Sequence, residues 1–171
     1  MRREFLVESE EGLREVVVFV LSEAGAGDVL LLRGSLGAGK TTFVRLLAEA
    51  LGVRETVASP TFTVVAEYAV PDSAVFERLV HADLYRLGSA TEDLVAGEDE
   101  ELLREVLESA DGRRDLVAIE WAEKLGGLIE GVASGRIWNV SFAYGAGVYE
   151  RLVTIERGVI GRAGSPGQAR G

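Results

Sequence analysis

At 171 residues, 47 % of them hydrophobic, the chain is long enough to bury a sizeable core within one globular domain. It has no cysteine and one histidine, His81, which excludes disulfides, thiolate metal sites and a multi-histidine zinc site. A formal net charge of −10 argues against strong direct binding to a nucleic-acid backbone.

Met1-Arg2-Arg3-Glu4-Phe5 turns acidic at once and lacks the form of a signal peptide. The longest apolar run, Val16 to Leu21, is far too short to cross a bilayer, so a cytoplasmic protein without a membrane partner is expected. Phe5-Leu6-Val7 reads as a short first strand. Ser9 is suited to cap a helix over residues 10–24, with Glu10 and Glu11 in the first turn where the helix dipole favours anions. Leu13, Val16, Val17, Val20 and Leu21 recur at helical spacing, and Gly25 ends the run.

Val29-Leu30-Leu31-Leu32 reads as a buried strand and leads into Gly34-Ser35-Leu36-Gly37-Ala38-Gly39-Lys40-Thr41, a complete phosphate-binding loop. An amphipathic stretch, Thr42 to Leu51, follows and is closed by Gly52. Strand, glycine loop and helix together supply a mechanism. The glycines let successive backbone N–H groups point into one concavity, and the helix N-terminus adds the positive end of its dipole. Lys40 can reach the outer phosphates and the Thr41 hydroxyl can ligate Mg²⁺, so the nucleotide is expected against Leu36, Gly37, Ala38, Gly39, Lys40, Thr41 and Thr42. The chain carries sixteen arginines and two lysines, and one of those two stands where a compact point charge is needed.

Residues 56–70 begin as a loop around Ser59-Pro60-Thr61-Phe62-Thr63 and become a strand; Pro71-Asp72 marks a turn, and residues 75–82 suggest the return strand. Residues 100–107 form a short helix. Around it lie Glu92, Asp93, Glu98, Asp99, Glu100, Glu101, Glu105 and Glu108, which read either as a solvated face or as a docking surface for a basic partner. Leu116-Val117-Ala118-Ile119 is a buried-strand pattern ending at Glu120. Residues 137–144 and 148–155 form a hairpin around Gly145-Ala146-Gly147. The expected organisation is one domain over residues 1–157 and a flexible tail over 158–171. The fold class is α/β: a P-loop NTPase-like three-layer sandwich with a mixed, mainly parallel sheet and added antiparallel strands.

Guanine recognition by Asn-Lys-x-Asp is absent, since the one asparagine is Asn139 and no lysine follows it; the one glutamine, Gln168, lies in the tail. ATP is therefore favoured over GTP, and an attacking water must be oriented by a carboxylate or a partner. Glu120, directly after its apolar strand, stands where the second carboxylate of a phosphate-loop site is expected, to act on Mg²⁺ or on the water. Asp83 ends another strand and reads as a metal-side ligand or as an ordinary strand-end acid. His81 reads as a core histidine without a proton-transfer role; Trp121, next to Glu120, reads as core in preference to a shield of the site from water.

Five segments in order carry a resemblance: the loop from Gly34 to Phe43, Ser59-Pro60-Thr61-Phe62-Thr63, Glu67-Tyr68, His81-Ala82-Asp83-Leu84-Tyr85-Arg86-Leu87 and Ile119-Glu120-Trp121. Together, over residues 5–130, they resemble the bacterial TsaE (YjeE) family, the ATPase of tRNA threonylcarbamoyladenosine biosynthesis. The resemblance implies an ATP·Mg²⁺ site with Lys40 on the phosphates, Thr41, Glu120 and Asp83 on the metal side, and Ser59 to Thr63 as a switch-like loop. It also implies TsaB- and TsaD-like partners, with tRNA reached only through them and hydrolysis coupled to their cycle. Two departures stand out: Ser35 replaces the acid common after the first glycine, and Ala122 follows Trp121 where a proline is usual. Two rival readings remain open on the residues alone, a small-molecule kinase and a nucleotide-gated interaction module without significant hydrolysis.

Overall fold

The computed structural model describes residues 1–87, 97–111, 113–126, 128–129 and 136–158. Strands β1 (Arg2–Val7), β2 (Val29–Arg33), β3 (Val65–Ala69), β4 (Arg78–Asp83), β5 (Asp115–Glu120), β6 (Ile137–Tyr144) and β7 (Arg151–Gly158) form one sheet in the order β1-β7-β6-β2-β5-β4-β3. The four central strands, β6, β2, β5 and β4, run parallel. On one side β7 and β1 extend the sheet antiparallel, and on the other β3 does. Helices α1 (Glu10–Glu23) and α2 (Lys40–Ala50) cover one face; α3 (Glu98–Asp111) and a 3-10 turn, Ala122–Leu125, cover the other.

β2 shows why its sequence is uniformly apolar. Leu30 and Leu32 pack towards α1 and α2 with Val16, Val20, Phe43 and Leu47, while Val29 and Leu31 pack towards α3 with Leu103 and Leu107. A strand buried on both faces has no solvent side to alternate with, and each such leucine contributes about 2 kcal/mol. Just before the strand, the buried Asp28 accepts hydrogen bonds from Gly25 N (2.9 Å), Arg136 Nε (3.1 Å) and Trp138 Nε1 (2.8 Å), tying β2 to β6 with its polar atoms satisfied.

Ser9 caps α1 as expected, its Oγ accepting from Gly12 N at 3.2 Å. Ion pairs Arg45–Glu10 and Arg14–Glu49, both 2.8 Å, join α1 to α2. Three boundaries differ from the sequence reading. β4 starts at Arg78 because Ser73 Oγ accepts from Val75 N and Phe76 N, holding residues 73–76 in a turn. β7 starts at Arg151, since Glu150 accepts from Gly145 N and Ala146 N and closes a longer hairpin turn. α3 reaches further at both ends than 100–107. Gly158 is paired with Ile137 as part of β7. The rest of the expected tail and the acids Glu92 and Asp93 lie outside the described residues. Among the described residues no helix is long and apolar enough to cross a membrane.

Candidate functional site

The loop after β2 is shaped by close approach. Gly34 has φ 144°, and a Cβ there would stand 2.6 Å from the Phe142 carbonyl oxygen, so only glycine fits between β2 and β6. Gly39, at φ 112°, turns the chain into α2. Tyr144 at the end of β6 braces the loop by donating to Leu36 O at 2.8 Å. Ser35 contributes through its backbone: its carbonyl accepts from Ala38 N (3.2 Å) and from Lys40 Nζ (2.9 Å). The loop is therefore held without the acid that the family commonly has at this position.

A cleft of about 380 Å³ opens at the carboxyl ends of the parallel strands. Leu36, Gly37, Gly39, Lys40, Thr41 and Thr42 line it from the loop, Ser59 and Thr61 from the segment before β3, Asp83 and Tyr85 from the end of β4, and Glu120 and Trp121 from the end of β5. Lys40, Thr41, Glu120 and Asp83 thus share one cleft. Ala38 does not line it; buried, it faces a second cavity on the other side of the loop.

Glu120 is the more deeply buried of the two cleft carboxylates. It is 2 % exposed, Oε2 accepts from Thr41 Oγ1 at 2.9 Å, and Oε1 lies 2.8 Å from His81 Nε2. The sheet register explains this: His81 pairs with Ala118 and Asp83 with Glu120 on parallel strands, so all four side chains share the face that carries α2. Asp83 is committed differently. Its Oδ2 accepts from Ser59 Oγ and from Thr61 Oγ1 (3.0 Å), and its Oδ1 from Tyr85 N (2.9 Å). The serine–threonine loop is thereby fastened to β4, and it ends at Val64, a β-branched residue with φ 65°, a strained left-handed junction.

Trp121 is not core. It has φ 59° and ψ 42°, another left-handed residue, and this reversal after β5 carries the indole back over the cleft. Its ring lies 3.9 Å from Lys40 Nζ and 5.1 Å from the Tyr85 ring. Lys40 Nζ also donates to Gly34 O at 2.5 Å. Burial pushes the Lys40 ammonium below the usual lysine value, and Glu120, Glu123 and Asp83 pull it partly back. Lys124 staples the neighbouring segment, donating to Tyr85 O and Leu87 O at 2.7 Å each. The indole's place in the cleft lining accords with the shielding alternative that its adjacency to Glu120 offers, whereas the Lys124 staple has no signal in the sequence.

The second cavity, about 240 Å³, lies between the start of α1 and the β6–β7 hairpin. Val7, Leu13, Phe142 and Val153 form apolar walls, with the exposed Tyr149 at its edge and Glu8, Glu10 and Arg151 as polar groups. It shares Gly37, Gly39 and Thr42 with the cleft, so the two spaces flank one loop.

A single mixed sheet, a glycine loop opening α2 and a carboxylate on the adjacent parallel strand define a P-loop NTPase-like protein. The family model for threonylcarbamoyl adenosine biosynthesis protein TsaE matches residues 7–146. The chain is 36 % identical over 124 residues to the tRNA threonylcarbamoyladenosine biosynthesis protein TsaE of Aquifex aeolicus, covering 71 % of this chain and 78 % of that one. It is 38 % identical over 128 residues to the protein of the same name from Nostoc sp., covering 73 % and 70 %. The crystal structure of Bacillus subtilis YdiB superposes with a TM-score of 0.59 at 27 % identity, over 93 % of this chain and 86 % of that one. The chain belongs to the TsaE family, whose role is in tRNA threonylcarbamoyladenosine biosynthesis.

Proposed function

We propose that this chain is an ATP-binding, Mg²⁺-dependent P-loop ATPase. In this reading its hydrolysis is coupled to a TsaB–TsaD-like partner complex and supports threonylcarbamoylation of the tRNA adenosine next to the anticodon. The observation that carries the reading is the contact between Thr41 Oγ1 and Glu120 Oε2 beside Lys40 in one cleft. It brings a metal-ligating hydroxyl and a phosphate-binding cation, adjacent at Thr41 and Lys40, together with an acid from a distant part of the chain.

The residues fit the groups assigned to them. Gly37 and Gly39, at positive φ, line the cleft without side chains of their own, which leaves backbone approachable where phosphates need N–H groups. Among the described residues no three His, Cys, Asp or Glu side chains form a metal cluster. That suits Mg²⁺, which keeps several waters and takes one or two carboxylates together with substrate phosphates. Thr41, Glu120 and Asp83 would hold it, and the ion would neutralise charge on the phosphate oxygens.

Lys40 leaves its backbone carbonyl partners for the outer phosphates, exchanging two neutral acceptors for charged ones. Glu120 orients the attacking water and accepts its proton, a task for which the one glutamine, Gln168, lies far along the chain and no second histidine exists. Trp121 and Tyr85 wall the cleft and limit bulk water. We assign the base to the second cavity, whose apolar walls and edge tyrosine suit a flat heteroaromatic ring. The net charge of −10 is consistent with tRNA being reached only through the partners.

The test is ATP hydrolysis by the purified chain, alone and then with its TsaB- and TsaD-like partners. A large increase on adding them supports the coupled ATPase. Intact ATP binding with no increase would move the reading to a small-molecule kinase or a gated module, and a small acceptor that restores turnover would identify the former.

A further inference from the structure

Glu120 is held from two sides, and only one of those holds survives in the proposed reaction. The Thr41 hydroxyl on Oε2 is the group that turns to the metal, and once it does so that oxygen loses its partner. The other hold is His81. We propose that His81 is a positioning residue for Glu120, fixing the carboxylate from beneath so that its free oxygen stays aimed at the metal-side water throughout turnover; this rests on the ATPase reading above.

The chemistry of the contact sets its direction. A carboxylate only accepts, so the hydrogen between Nε2 and Oε1 is the imidazole's. His81 is 0 % exposed and its Nδ1 has no partner. With Nε2 turned to Glu120 and Nδ1 without a partner, the ring serves the carboxylate as an N–H donor through Nε2.

Its place follows from the sheet. His81 stands on β4 opposite Ala118 of β5, whose methyl side chain leaves room for a ring, and Glu120 comes two residues later on the same face. Glu120 lines the cleft and His81 does not, so the imidazole acts through the carboxylate without touching nucleotide. A merely structural histidine has no need to spend its one hydrogen bond on the acid of the cleft. Groups in this position commonly change activity 10- to 100-fold, on the order seen for residues that orient ligands of a metal.

Two measurements on the full chain test this. Because His81 is the one histidine, ¹⁵N-histidine labelling gives a single pair of ring-nitrogen signals. We expect a protonated Nε2 and an unprotonated Nδ1, retained when Mg²⁺ and ADP are added, and an altered Nε2 shift in Glu120→Gln. The opposite tautomer, or signals indifferent to Glu120→Gln, would overturn the proposal without reference to activity.

The kinetic arm compares His81→Ala with His81→Gln, which restores an N–H donor. Expected is a fall in kcat of about 10- to 100-fold in His81→Ala with the dissociation constant for ATP within about threefold, and partial recovery in His81→Gln. In a Glu120→Ala background, His81→Ala should cause no further loss. Equal losses in both histidine variants that track a lowered Tm, or additive losses in the double variant, would overturn it. Should His81→Ala fail to fold, His81→Gln and the labelling experiment decide alone. A wild-type chain that binds ATP without hydrolysing it, while the tautomer and its response to Glu120→Gln are as expected, would sink the ATPase reading and leave the His81–Glu120 assignment standing.

Discussion

The Thr41 hydroxyl and the Glu120 carboxylate meet at 2.9 Å although 79 residues separate them. One opens α2 and the other closes β5, so the contact exists only when the glycine loop and the neighbouring parallel strand are both in place. Glu120→Ala should bind ATP within about threefold of wild type and lose hydrolysis by at least about 100-fold, the usual contribution of a positioned acid or base. Single-turnover hydrolysis beside equilibrium binding checks this; retained turnover would remove Glu120 from the chemistry.

Lys40→Ala should abolish measurable ATP binding while circular dichroism and Tm stay close to wild type. The pH dependence has a definite sign. Burial lowers the Lys40 value, so its proton leaves at lower pH than from an exposed lysine. ATP affinity should therefore begin to weaken at lower pH than an exposed lysine would give, and Lys40→Arg should flatten that decline even if its affinity is lower throughout. For the unliganded fold the sign reverses. A lysine with a depressed folded value makes its stabilising contribution above the unfolded value of 10.5, and loses it as pH falls through the folded one.

Asp83 joins the cleft to the Ser59–Thr63 loop through two hydrogen bonds on Oδ2, from Ser59 and Thr61, while Oδ1 accepts from Tyr85 N. Asp83→Ala should unfasten that loop and raise proteolytic cleavage within residues 59–64 several-fold. Hydrolysis should fall as well, with more Mg²⁺ needed for half-maximal rate. An unchanged Mg²⁺ titration with faster cleavage would make Asp83 a latch alone.

Tyr149 stands 81 % exposed at the edge of the second cavity. If the base lies there, Tyr149→Ala should weaken ATP about tenfold and leave inorganic tripolyphosphate unaffected, since stacking on a base contributes about 1–3 kcal/mol. Equal losses for both ligands would place the base elsewhere.

Arg78 grips the buried Asp115 through two bonds, Nε to Oδ1 at 3.0 Å and Nη2 to Oδ2 at 2.6 Å, and also binds Glu67. Arg78→Ala strands a carboxylate that is 1 % exposed, so urea denaturation should show a loss of about 3 kcal/mol. Asp115→Asn, which keeps a smaller, uncharged acceptor, should lose less.

The phosphate loop, its flanking strand and helix, and the acid after β5 were legible because each depends on local spacing. Gly34 to Thr41 is contiguous, and Glu120 follows its own apolar run. What escaped depends on register between strands distant in sequence. That His81 would reach Glu120 requires β4 to lie beside β5 with His81 opposite Ala118, and no periodicity within either strand encodes that offset. Trp121 escaped for another reason. An indole after a buried strand reads as core, and only its left-handed backbone turns it out over Lys40. The late starts of β4 and β7 reflect Ser73 and Glu150, whose side-chain oxygens compete for backbone N–H groups that strand pairing would otherwise use.

The pairing of Arg2 with Glu156 and the place of β2 between β5 and β6 bear on how the protein is made. Of the seven strands a ribosome releases β1 first, yet β1 has no strand partner until β7 is out. β2, which leads into the glycine loop, waits for β5 and β6, which begin only at Asp115 and Ile137. The nascent chain therefore offers no finished pocket to cellular nucleotide during most of translation. Competence arrives late and all at once, so truncated products should neither sequester ATP nor compete with the finished protein.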